Sequence, residues 1–134
     1  MVPTYSPETI RNLIVFEGLD GAGSTTHASL LVKNLHRAGR RALLTTEPTS
    51  GPMGNLIRLI LRGRLGAWGD RTDQQLAHLF AADRFDHLYN QTDGILRQIE
   101  QGFTVVSTRY FFSSYAYNAR TEKDFDLVDR LNRD

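Results

Sequence analysis

The decapeptide GLDGAGSTTH, Gly18 to His27, follows the apolar run LIVFE and carries the spacing of a phosphate-binding loop. Such a loop reads G-x-x-x-x-G-K-[ST]. Gly18, Gly23 and Thr25 stand in register, and Ser24 occupies the lysine position. The chemistry that survives belongs to the backbone. Gly21 and Gly23 can turn N–H groups inward, and a helix starting at Ser24 aims its positive dipole end at the same point. What is lost is a mobile cation that follows the outer phosphates of a nucleotide, while the Thr25 hydroxyl still suits Mg²⁺. Read alone, the degraded pattern also fits an ordinary strand-to-helix turn.

The remaining candidates are arginines and aromatics. In isolation, Asp83 with Arg84 reads as a solvated surface pair, as do Arg58 and Arg62, and such pairs contribute little. Phe80 and Tyr117, at helical spacing, read in isolation as core rather than as ligand stacks. His27, His36, His78 and His87 show no metal-ligand spacing with carboxylates. The chain has no cysteine, which excludes thiolate catalysis and disulfides. A net charge of +1 gives no electrostatic case for nucleic acid as a partner. No apolar run approaches the roughly 20 residues that span a bilayer. The opening MVPTYSPETIRN lacks the apolar stretch of a secretory signal, so a cytoplasmic home is expected.

Loops of this kind work only when strands and helices aim them. Leu13 to Glu17 is a short apolar run suited to a strand buried on both faces. Ser24 to Ala38 places Ala28, Leu31, Val32 and Leu35 at helical spacing and stops at Gly39. Arg41 to Thr46 predicts a second strand, followed by the loop EPTSGPMG. From Met53 a helical stripe carries Leu56, Ile57, Ile60 and Leu61. A longer helix is expected from Asp73 to about Gln101, with Leu76, Leu79, Phe80, Leu88, Ile95, Leu96 and Ile99 along it. Phe103 to Thr108 predicts a third strand, and further helical pieces are expected near Ser113 to Asn118 and Asp124 to Arg133. At 134 residues this is one domain by length. Strands alternating with helices imply a doubly wound α/β fold with a parallel sheet and ligands at the carboxyl ends of its strands.

Four ordered blocks, FEGLDGAGSTT, EPTSGPMGNLIRLIL, LFAADRFDH and TRYFFSSYAYN, together resemble the thymidylate kinases. These are P-loop enzymes that move the γ-phosphoryl of ATP onto thymidine monophosphate (dTMP). The resemblance runs from about Leu13 to Asn118. It implies a three-layer P-loop fold, here in an incomplete three-strand version, and a homodimer paired through the helices that correspond to the Met53 and Asp73 segments. It implies that Gly18, Gly21, Ala22, Gly23, Ser24, Thr25 and Thr26 cradle the phosphates of ATP, with Thr25 on Mg²⁺ and Asp20 near the meeting point of donor and acceptor. It further implies that Glu47 and Pro48 match the loop after strand two and that Arg58 helps to clamp the acceptor phosphate. Phe80 would stack on thymine, Arg84 hydrogen-bond the base edge, and Arg109 hold the acceptor phosphate. Ser113 and Ser114 would line the base, and Tyr117 would pack under the sugar.

Three departures stand out. Ser24 replaces the P-loop lysine, and Thr108 replaces the aspartate of the family's D-R-[YHS] motif. Phosphoryl transfer depends on positioning and electrostatics, so each loss would cost about 3–4 kcal/mol of barrier. The third is length, since relatives continue through a mobile lid and further strands. Ala22 marks the subtype whose catalytic arginine lies in that lid, and without the later strands the LIVF strand becomes an edge. Two further readings therefore stand beside thymidylate kinase: a degenerate relative that binds nucleotide with little or no turnover, and a kinase for another nucleoside monophosphate.

Overall fold

A computed structural model of the chain describes residues 10–65 and 69–133. Within them, three strands alternate with helices: β1 Leu13–Phe16, α1 Ser24–Arg37, β2 Ala42–Thr46, α2 Pro52–Leu61, α3 Asp70–Tyr89, α4 Ile95–Glu100, β3 Thr104–Thr108, α5 Phe111–Asn118 and α6 Glu122–Leu131. The sheet is parallel throughout, in the order β1-β3-β2. The expected α/β class and parallel sheet are therefore found.

β3 is buried at every position, as befits the middle of the sheet. Val105 joins Leu88 of α3 and Ile95 of α4 in one core cluster, while Val106 points to the other face by strand alternation and is equally buried. The expectation that β1 is covered on both faces is corrected. β1 pairs with β3 alone among the described residues, and Ile14 is 37% exposed.

Local sequence explains the helix ends. α1 stops at Ala38, and Gly39 follows in the left-handed conformation with φ +73°, which a side chain would disfavour. Pro52 opens α2, where a missing N–H costs nothing. Thr121 and Asp124 close a reciprocal capping box at the start of α6. The single helix expected from Asp73 to Gln101 is corrected to two. α3 ends at Tyr89 because Asn90 Oδ1 accepts from the Thr92 backbone N–H at 2.9 Å, an Asx turn that competes with the helix. Gly94 then packs so closely that a Cβ there would fall 2.5 Å from the Asn90 carbonyl oxygen.

The register fixes where function can sit. Phe16 pairs with Thr108, and Thr46 pairs with Thr108, so all three strands end in the same row. Glu17, Glu47 and Arg109, the next residue of each strand, emerge side by side at the carboxyl edge. Glu47 N–H donates to the Thr108 carbonyl at 3.2 Å, and Arg109 N–H to the Phe16 carbonyl at 2.9 Å.

Behind this edge, α2 and α3 pack together around Ile57, Ile60 and Leu76. The first turn of α2 presses on the loop after β2: a Cβ added to Gly54 would lie 1.9 Å from the Thr49 carbonyl oxygen. Gly54→Ala is expected to destabilise the protein by about 1–3 kcal/mol or more, as overpacking against backbone does. A urea titration checks this, and an unchanged midpoint would contradict the contact.

Candidate active site

A cavity of about 270 Å³ opens at the carboxyl edge of the sheet, walled by the loop after β1, the residue after β2, α3 and α5. Asp20, Glu47, Phe80, Arg84, Arg109, Ser113, Ser114 and Tyr117 all line it. Residues from all four sequence blocks thus converge on one volume. The apolar wall includes Leu61, Leu76 and Phe80; Phe80 also packs on the Ile57–Ile60–Leu76 cluster, so its core and cavity roles coexist.

Arg84 and Glu47 form the buried polar centre of this wall. Arg84 is 5% exposed and Glu47 3%, and Arg84 Nη2 lies 2.7 Å from Glu47 Oε2. His87 sits one helical turn further along α3. Its Nδ1 lies 3.0 Å from Glu47 Oε1 and its Nε2 2.7 Å from Thr45 Oγ1. The alternative of a solvated Asp83–Arg84 pair does not occur. Neighbouring helix residues point about 100° apart, and Asp83 turns instead to the loop after β2, accepting from the Thr49 N–H at 2.8 Å and the Thr49 hydroxyl at 2.6 Å. Burial, reinforced by the Glu47 carboxylate, pushes the Tyr110 phenol well above its ordinary value, so it stays neutral beside the guanidinium stacked 5.3 Å from its ring centre.

Arg109 is placed by a different device. It holds a left-handed backbone, φ +72°, which costs a non-glycine residue energy and survives only where neighbours enforce it. Glu17 does much of that enforcing, accepting from the Tyr110 N–H at 2.7 Å and from the Ser113 hydroxyl at 2.7 Å. The Arg109 guanidinium then reaches out to an ion pair with Asp20 and lies 5.6 Å from the centre of the Tyr117 ring.

The glycine loop borders this cavity at Asp20. Gly21 has φ +82° and Gly23 φ +87°, the conformations that turn N–H groups inward. α1 begins at Ser24 with no side-chain cap and no acidic residue in its first turn, so the N–H groups at its start are not filled from these sources. Ser24 is half-buried, and Thr25 and Thr26 are exposed. Gly18 and Gly21 to Thr26 do not line the cavity, nor do Pro48 and Arg58. Arg58 donates to the carbonyls of Pro48 and Thr49 and so braces the loop after β2.

Sequence reasoning passed over Glu17, Tyr110 and Asn118 and gave His87 no role. Asn118 also lines the cavity, is 5% exposed, and its buried Oδ1 has no hydrogen-bond partner. Its position four residues after Ser114, on the same face of α5, was the available signal.

The thymidylate kinase family profile matches residues 16–134. The chain belongs to the thymidylate kinase family. It is 41% identical over 127 residues to a probable thymidylate kinase of Thermococcus kodakarensis, covering 90% of this chain and 59% of that protein. A probable thymidylate kinase of Thermococcus gammatolerans is 40% identical over 126 residues, with 90% and 58% covered. The crystal structure of thymidylate kinase from Ehrlichia chaffeensis superposes with a TM-score of 0.70 at 28% identity, over 90% of this chain and 64% of that one. The chain thus spans about three fifths of the length of these thymidylate kinases.

The Arg84–Glu47 pair makes a stability prediction. Arg84→Met leaves Glu47 buried without its guanidinium and is expected to cost about 3–5 kcal/mol. The double variant Arg84→Met with Glu47→Leu should recover part of that loss. Denaturant unfolding of the two measures it, and strictly additive losses would contradict the coupling.

Proposed function

We propose that the chain binds and phosphorylates dTMP, transferring the γ-phosphoryl of ATP to give dTDP. The observation that carries this reading is the convergence of Phe80, Arg84, Arg109, Ser114 and Tyr117 on one cavity that meets the glycine loop at Asp20. The cavity offers an apolar ring face at Phe80, an N–H donor at Arg84 and an unpartnered acceptor at Asn118 Oδ1. A thymine complements that set: a flat ring for Phe80, a ring carbonyl for the donor, and an imide N–H for the acceptor. Arg109 suits the acceptor phosphate, as the cation at the sheet edge.

In the free protein Asp20 neutralises Arg109. An arriving phosphate would take Asp20's place on the guanidinium, which leaves the Asp20 carboxylate at the junction of the two nucleotides. There it would help to orient the acceptor. The acceptor phosphate oxygen then attacks the γ-phosphorus, and the bond to the leaving ADP oxygen breaks in line. The backbone N–H groups of the loop and of the start of α1 would hold the donor phosphates.

Mg²⁺ asks little of the protein, one or two oxygen ligands beside phosphates and waters, and the exposed Thr25 hydroxyl fits that demand. When bound, it neutralises phosphate charge. A second reading, a nucleotide-binding relative with slow turnover, is favoured by Ser24 and Thr108, two uncharged residues where the family carries a cation and an anion. Exposed apolar residues on α2 and α3, among them Leu56, Leu59 and Phe85, support pairing of two copies through these helices. No helix among the described residues is long and apolar enough to cross a membrane, and a cytoplasmic setting is part of the same proposal.

Calorimetric titration with dTMP, with AMP and dGMP as controls, tests the acceptor site. Selective binding of dTMP is expected, and Arg84→Ala should weaken dTMP by about tenfold or more while sparing ATP. Equal weakening of both nucleotides would contradict the assignment.

A further inference from the structure

The peptide that joins the glycine loop to α1 is held by one residue twice over. The Gly23 carbonyl accepts the ordinary helical bond from the His27 backbone N–H at 3.0 Å. It also accepts from the His27 ring, whose Nδ1 lies 2.8 Å away. A carbonyl only accepts, so Nδ1 is the ring nitrogen that carries a proton here. The ring reaches back because helical side chains lean toward the N-terminus, over the turn that precedes them. It comes to rest on the bare face of Gly23, where an added Cβ would lie 3.4 Å from Nδ1 and 3.5 Å from Cε1.

Peptide geometry turns this hold into an aim. In a trans peptide the C=O and N–H point in opposite directions across one rigid plane. Fixing the Gly23 carbonyl with two donors therefore fixes the Ser24 N–H, which points out of the N-terminal end of α1. Gly23 needs such a hold, because at φ +87° it is a residue whose backbone has broad freedom of its own. α1 has neither a side-chain cap nor an acidic residue in its first turn to take up that N–H. With Ser24 at the lysine position, anion binding in the loop falls to backbone N–H groups, so their aim carries more of the affinity. The thymidylate kinase profile spans the whole of this loop.

We propose that His27 is a positioning residue for the donor nucleotide: its ring bond to the Gly23 carbonyl aims the Ser24 N–H at a phosphate of ATP. This rests on the donor-loop reading above and adds a side chain that acts through the peptide rather than on the phosphate.

Calorimetric titration with ATP and Mg²⁺ tests the role, with dTMP as the internal control. His27→Leu removes the ring N–H and should weaken ATP by about fivefold or more while leaving dTMP within about twofold. His27→Asn carries an N–H on the atom equivalent to Nδ1 and should bind ATP within about twofold of wild type. The order of the two variants is informative because leucine is the better helix former. A merely structural role in α1 would place leucine above asparagine, and the proposal places it below. If leucine is not accommodated at this exposed position, His27→Ala carries the same expectation. A folded leucine or alanine variant that binds ATP as the wild type does, or that weakens ATP and dTMP alike, overturns the role of His27. An asparagine variant no better than leucine does the same. A wild-type chain that does not bind ATP overturns the donor-loop reading itself and this proposal with it.

Discussion

The site depends on a charge that cannot be left alone. Glu47 follows directly from β2 and is 3% exposed, so its carboxylate must be met by a cation or a proton. Arg84 of α3 meets it from one side and His87 from the other. That requirement pins the end of β2 to the middle of α3. The cavity wall exists because these elements cannot separate without exposing a bare charge to an apolar interior. It also leaves Arg84, the base-edge donor of the proposed acceptor site, with little freedom. Glu47, Ser114 and Asn132 hold it from three elements, and a donor held in advance loses little entropy when a ligand arrives.

Around this centre, the parallel register brings the other parts to one edge. Because β1, β2 and β3 end level, Glu17, Glu47 and Arg109 leave the sheet together. Glu17 then steadies the strained turn that carries Arg109, and Asp83 with Arg58 braces the loop behind Glu47. The supporting carboxylates and cations bond to backbone groups, to the hydroxyls of Ser113 and Thr49, or to one another. In the glycine loop, Ser24 supplies a hydroxyl in place of charge.

Much of this was legible in the sequence for local reasons. An apolar run closed by glycines makes β1 and the loop visible, and a helical stripe ended by Gly39 makes α1 visible. The break between α3 and α4 was hidden because Leu88 and Ile95 stay in helical phase across it; only the Asn90 turn chemistry betrays it. The convergence of Phe80, Arg84, Arg109 and Tyr117 was expected from the family resemblance rather than from spacing. His87 was given no role and Asn132 was not considered, because their partners lie 40 and 48 residues away in the chain. No periodicity encodes such contacts. Arg58, expected at the acceptor phosphate, donates from Nη1 and Nη2 to its own loop carbonyls, contacts that spacing does not encode either.

The most direct test of the central claim is a crystal structure of the chain grown with dTMP. The account predicts the thymine ring against Phe80, a ring carbonyl at hydrogen-bond distance from Arg84, the imide N–H on Asn118 Oδ1, and the phosphate on Arg109 in place of Asp20. A nucleotide bound outside this cavity, or an Arg109–Asp20 pair left intact beside a base that does not touch Arg84, would contradict it.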